Sequence, residues 1–289
     1  MWLLFHLSIW NILLVAVPEM SSAIVPLLEV DYHSCVAANA SNTSVIHFIL
    51  NFLLSLLFLN FARTPLLYNA QESSSGPDSN TRKFKIICLS DTHGHHRDLD
   101  MPKEGDLLIH AGDFTAFGNE EHAKDFNDWL GSLPYKHKIV VEGNHEVNVS
   151  WMPKEGVSKY LTNAQFLRND SIEIKTDIDD RNKPLKIYGS RFYWKCRGRN
   201  PYYDLIPQDA DIVVVHNPPL DHGDDGKGCP ALLERLAEIR PKLVVSGHMH
   251  GPRGVRVGRS RLLRNTLFVN AANVESHKAL AREAIVVNM

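Results

Sequence analysis

Five short stretches of this chain place a carboxylate, an amide or an imidazole directly after an apolar run. They are Asp91-Thr92-His93, Gly112-Asp113, Gly143-Asn144-His145-Glu146, His216, and Gly247-His248-Met249-His250. Taken singly, each has an ordinary explanation. With 15 His in 289 residues, roughly one His-x-His pair is expected by chance. Asp91, Asp113 and Asn144 fit turns or caps, and His216 fits a strand-terminal ring bonded to backbone. Together they require that five separate apolar runs all end in groups able to ligate a metal. Oxygen and imidazole donors without thiolate suit manganese, iron or zinc, and less readily magnesium. A carboxylate has two oxygens and can bridge ions ~3.5–4 Å apart, so the set favours two cations. Asp91-x-His93 and His248-x-His250 put paired side chains on one side of an extended or turning segment. Asn144 coordinates without adding charge, which leaves the site cationic enough for phosphate.

Something must hold these groups in register. Apolar, β-rich runs recur at 84–89, 106–109, 138–141, 185–188, 211–215, 242–245, 266–269 and 284–287. Several are continuous rather than alternating, which predicts strands buried on both faces. Between them lie two helical stripes: Ala123, Phe126, Trp129 and Leu130, then Leu232, Leu233, Leu236 and Ile239. The stripes read as core, and the alternation predicts an α/β sandwich with helices over the sheet faces. Ligand sites in α/β sheets gather at the carboxyl ends of strands, where all five stretches fall.

The composition is that of a chain with a substantial core, 44% hydrophobic and 22% charged. A formal charge of −2 and the lack of an extended basic stripe argue against long nucleic acid as a partner. Cys35, Cys88, Cys196 and Cys229 form no C-x-x-C pair, so neither a disulfide scaffold nor a zinc ribbon is expected. Cys88 reads as an inert buried thiol.

The chain divides at a polar linker, residues 69–82, which separates a hydrophobic region, 1–68, from the folded domain, 83–289. Segments 2–17 and 45–62 are each about as long as a short bilayer-spanning helix. The first also resembles a signal peptide but lacks a basic start. Arg63 is the sole Lys or Arg before Arg82, while Arg82, Lys83 and Lys85 follow the second segment. The positive-inside rule then predicts membrane association with a cytosolic catalytic domain, or a cytoplasmic protein if the segments do not insert. The sequons at Asn39 and Asn42 would lie in the lumenal loop.

In order and spacing, the five blocks resemble the calcineurin-like metallophosphoesterase superfamily, from residue 84 to the C-terminus. The stretches LSDTHG, LLIHAGDFTAFG, FNDWLGSLPYKHKIVVEGNHE and VVVHNPPL are most similar to its metallophosphoesterase domain-containing branch. The resemblance implies a four-layer fold, two β-sheets flanked by helices. It implies one ion on Asp91, His93 and His250, another on Asn144, His216 and His248, and Asp113 bridging them. It also implies low-turnover hydrolysis of small phosphodiesters, cyclic nucleotides included, by attack of a metal-bridging hydroxide. His145, which follows Asn144 in the family's block, is the expected proton donor to the leaving group.

Asn144, His145, Asn217 and Arg253 are the expected substrate contacts. Asn217 departs from the branch, which commonly has Gly there, and is expected to narrow the cleft beside His216. His95, His96 and Arg97 read as a solvated loop. The basic-aromatic stretch SRFYWKCRGRNPYY, with Tyr193, Trp194, Lys195, Arg197 and Arg199, reads equally as a base-stacking platform or a packed surface loop. The alternatives are a phosphomonoesterase or nuclease on the same metals, or a non-catalytic membrane-tethered metal-binding module.

Overall fold

The computed structural model describes residues 66–69, 83–152, 157, 159–176, 183–275 and 278–289. The expected membrane segments 2–17 and 45–62, most of the linker and Cys35 lie outside the described residues. Among the described residues no helix is long and apolar enough to cross a membrane.

All eight expected strands form, within about two residues of their expected bounds. They are β2 (Lys85–Leu89), β3 (Leu107–His110), β4 (His137–Val140), β7 (Leu185–Gly189), β8 (Ile212–Val214), β9 (Leu243–Ser246), β11 (Leu267–Asn270) and β14 (Ile285–Asn288). Short strands join them: β1 (Leu66–Asn69), β5 (Gln165–Phe166), β6 (Asp170–Ile174), β10 (Gly254–Val257), β12 (Val274–Glu275) and β13 (Lys278–Ala281). Two six-stranded mixed sheets result, ordered β1-β14-β2-β3-β4-β5 and β10-β11-β9-β8-β7-β6, while β12 and β13 pair separately. β2, β3, β4 and β5 run parallel, as do β7, β8, β9 and β11, so each sheet gathers its carboxyl ends on one edge.

Strand period explains the continuous apolar runs. Alternate residues of a strand face opposite sides. In β2, Ile86 and Cys88 enter the core between the sheets, with Ile109, Ile187, Val214 and Val245. Ile87 and Leu89 face the other way and meet α1 (Glu120–Ser132) through Ala123, Phe126, Trp129 and Leu130. On the second sheet Val213, Val244 and Phe268 meet α2 (Pro230–Ile239) through Leu232, Leu236 and Ile239. This gives four layers, helix on sheet on sheet on helix. Cys88 is fully buried, and burial pushes its thiol far above the ordinary range, as expected of an inert group.

α1 begins where Asn119 Oδ1 accepts from the N–H groups of Glu121 and His122. α2 opens on Pro230, which costs no intrahelical bond at that position, and stops at Arg240 in a left-handed conformation. His96 is not solvated, contrary to expectation. Its ring is fully buried against Phe126 and Trp129, with Nε2 3.0 Å from Asp125 Oδ2. Docking of the loop onto the aromatic face of α1 overrides its polar composition.

Candidate metal centre

The five strand-end stretches converge. Three groups of potential ligand atoms each lie within 4.8 Å of one another: Asp91, His93 and His250; His93, Asp113 and His145; and Asp113, His216 and His248. His250 Nε2 is 3.2 Å from Asp91 Oδ1, and His216 Nε2 is 3.3 Å from Asp113 Oδ2. Asn144 Oδ1 lies 3.1 Å from His216 Nε2. Asp113 therefore sits between the two ends of the cluster.

The backbone reaches this arrangement through strain rather than extension. Asp91, His93, Asp113 and His248 all have left-handed φ values, between 45° and 65°. Non-glycine residues seldom adopt them, and such conformations persist where surrounding structure over-determines them. Of the two forms expected, extended or turning, Asp91 and His93 meet through the second, a tight left-handed turn. The loops brace one another: Asp91 N–H donates to Gly112 O and His93 N–H to Asp113 O. From the other sheet, His248 N–H donates to Asp91 Oδ2 at 2.9 Å.

Glycine in these blocks answers a packing demand. A Cβ on Gly247 would collide with Ser90 Oγ and Asp91 Oδ2, and one on Gly143 with Asp113. The loops approach too closely for any side chain there.

A further residue organises the site, and its motif position gave no sign of this role. Glu146 is fully buried, and its carboxyl accepts from Asp113 N–H, Gly143 N–H, Thr115 N–H and the Thr115 hydroxyl, all within 2.9 Å. It ties the loop after β3 to the loop after β4. Burial and then the charge of Asp113 push its carboxyl up to about 8, against these four donors. Glu142, also fully buried, accepts from Arg191 Nε at 3.0 Å, forms an ion pair with Arg168 Nε at 3.0 Å, and joins the end of β4 to the segment after β7.

The donor set fits divalent cations. Asp91 and Asp113 are 0% and 2% exposed, and among the described residues their charged partners within 4 Å are imidazoles. Two buried carboxylates need positive charge. Burial alone would lower the pKa of His216, but Asp113 and Asp91 outweigh it and raise it to about 10. Burial likewise opposes ionisation of Asp91 and Asp113, yet His216 holds both below the usual carboxylate range. Elsewhere burial wins: His248 falls to about 4, and His93 is lowered. The hydrogen bond to Asp91 raises His250.

Two rings are fixed in ligand-ready tautomers. A carbonyl only accepts, so the contacts of His216 Nδ1 with Ala111 O (2.7 Å) and His93 Nδ1 with Thr115 O (3.3 Å) place the protons on Nδ1. Each Nε2 is then the nitrogen left to ligate a cation, in His216 once the cation displaces its second proton. His145 has the reverse arrangement. Phe117 N–H donates to its Nδ1 at 2.9 Å, so the neutral ring carries its proton on Nε2, 3.9 Å from Asp113 Oδ2. Its Nδ1 is also 3.2 Å from Thr115 O, a hydrogen bond only when the ring takes a second proton.

Two expected substrate contacts point elsewhere. Asn217 is buried and its amide donates to Tyr193 O at 3.3 Å, tying down the 190–199 segment. Arg253 donates to the Glu283 carbonyl, and burial lowers it to about 10. The basic-aromatic stretch splits in character: Arg199 pairs with Asp204 and Tyr193 stacks on Tyr202, while Trp194 is 67% exposed with its ring 5.7 Å from that of His248. Phe117, 88% exposed, stacks on His145 at 4.7 Å; its apolar side chain gave no site signal in the sequence.

Comparison with known proteins agrees with this chemistry. The family model for calcineurin-like phosphoesterases matches residues 84–252. Metallophosphoesterase domain-containing protein 1 of Homo sapiens is 34% identical over 227 residues, 65% of each chain. UPF0046 protein K07C11.7 of Caenorhabditis elegans is 31% identical over 235 residues, 74% of this chain and 78% of its own. Among solved structures, a phosphopantetheinyl hydrolase from Mycobacterium tuberculosis aligns with a TM-score of 0.46 at 12% identity, over 66% of this chain and 90% of that one. The family match spans more than half of the chain and contains every one of the clustered metal-competent residues, so this protein belongs to the calcineurin-like phosphoesterases.

Proposed function

We propose that the protein is a metal-dependent phosphodiesterase acting on small diesters, with cyclic nucleotides as the leading class. The observation that carries this reading is the convergence of Asp91, His93, Asp113, Asn144, His216, His248 and His250 from five loops. Asp91, His93 and His250 would hold one cation, Asn144, His216 and His248 a second, with Asp113 shared. Bound there, manganese, iron or zinc would supply Lewis acidity and an activated water.

The protein's own groups supply the rest. Asp91 and Asp113 stay ionised, and Asn144 adds a neutral donor that limits repulsion of a phosphate. His145 presents Nε2 towards Asp113 and the cluster, where a leaving oxygen needs a proton. Phe117 stacks on His145, and Trp194 stands beside His248, so each offers an exposed ring face to a planar substrate group. The −2 formal charge fits a small diester better than a polynucleotide.

The test is hydrolysis of bis-p-nitrophenyl phosphate and of the monoester, each with and without manganese. Faster manganese-dependent cleavage of the diester is expected, followed by activity on cyclic nucleotides. Preference for the monoester would transfer the reading to a phosphomonoesterase. No hydrolysis of either by metal-replete protein would leave a binding module.

A further inference from the structure

The cysteines are dispersed in sequence, yet folding brings two of them together. Cys196 lies in the segment after β7, and Cys229 immediately precedes α2. Cys196 N–H donates to Cys229 Sγ at 3.5 Å, and Cys229 Sγ lies 3.8 Å from Cys196 O. The Cys229 sulfur thus lies against the backbone of Cys196. They differ in access, Cys229 being fully buried and Cys196 partly exposed. The Tyr203 hydroxyl donates to Cys229 Sγ at 3.6 Å, which holds that sulfur in place. Cys88, by contrast, is sealed between the sheets.

We propose that Cys196 and Cys229 are an oxidisable dithiol whose disulfide fixes the 190–199 segment to the start of α2. The inference goes beyond the phosphodiesterase reading and does not depend on it. The segment concerned forms one wall of the metal centre. Phe192 packs 5.6 Å from the rings of both His216 and His248, and Trp194 packs against His248. A covalent tie would stiffen that wall.

The oxidant is a peroxide. The accessible Cys196 sulfur attacks one peroxide oxygen, the O–O bond breaks, and the other oxygen leaves as water with the thiol proton. Cys229 sulfur then displaces the hydroxyl from Cys196, which departs with the Cys229 proton as a second water. Two thiols are oxidised to one disulfide and one hydrogen peroxide is reduced to two waters. Since the Cys229 sulfur already lies within 3.8 Å of the Cys196 backbone, little backbone movement is needed.

The test treats the full chain with hydrogen peroxide, blocks free thiols, and maps peptides without reductant. A peptide joining Cys196 to Cys229 is expected, two hydrogens lighter than its parts, abolished by dithiothreitol and absent in Cys196→Ser. Amide hydrogen exchange across residues 191–200 should slow in the oxidised form. Blocked or over-oxidised Cys196 with no joined peptide would overturn the proposal. So would a joined peptide that leaves exchange unchanged.

Discussion

Asp113 receives contacts from both ends of the cluster: His216 Nε2 on one side, and the ring and backbone N–H of His145 on the other. Asp113→Ala should remove the shared ligand and cost both ions in elemental analysis of the purified protein. Two retained ions with undiminished turnover would exclude the bridging role. His145→Ala should lower kcat by ~10²–10⁴ while metal content holds, because a general acid is lost but no ligand; parallel loss of metal would make it a ligand instead. His96 tests the electrostatics away from the centre. Burial lowers its pKa below 6.5, against Asp125. The folded state therefore prefers the neutral ring, and below pH ~6.5 the unfolded chain takes up a proton that the folded one refuses. Stability from this group is complete above pH ~6.5 and declines as pH falls towards the lower folded value. Urea unfolding should show wild type losing stability relative to His96→Gln between pH 7.5 and 5; a constant difference would contradict the sign.

The five loops differ in sequence but share a construction: a parallel strand, then a side chain able to ligate a metal, set in a left-handed turn at Asp91, Asp113 and His248. The turns explain why Gly247 stands before His248. Gly247→Ala should drive Ser90 and Asp91 apart, costing ~1–3 kcal/mol in denaturant unfolding and most of the metal content. Gly251→Ala is the control, since its Cβ would meet nothing within 4 Å. Equal behaviour of the two would remove the steric argument. The strands that carry the loops were legible because their carboxyl-terminal parts are buried on both faces, which writes β2, β3, β8, β9 and the end of β4 as apolar runs. β6 and β10 were not, because they are edge strands with half-exposed residues such as Glu173 and Arg256. The ligand-type residues were legible from side-chain chemistry at those strand ends. The roles of Glu146 and Phe117 were not, since a clamping carboxylate or an exposed ring at the site's edge is defined by what packs around it. The left-handed turns escaped for a related reason: each is imposed by contacts between loops distant in sequence.

Across the whole molecule, the paired sheets bring the ends of β2, β3 and β4 against those of β8 and β9. Only that juxtaposition lets His216 reach Asp113 and His248 N–H reach Asp91. One sheet alone would carry half a site. The buried layers between and outside the sheets hold the two halves in register, and the Glu142 ion pairs with Arg168 and Arg191 link one sheet to the segment leaving the other. A binuclear centre is thus the central claim. Its most direct measurement is anomalous diffraction from a manganese-loaded crystal. The account predicts two peaks, one among Asp91, His93 and His250 and one among Asn144, His216 and His248, with Asp113 touching both. A single weak peak, or two that do not share Asp113, would contradict it.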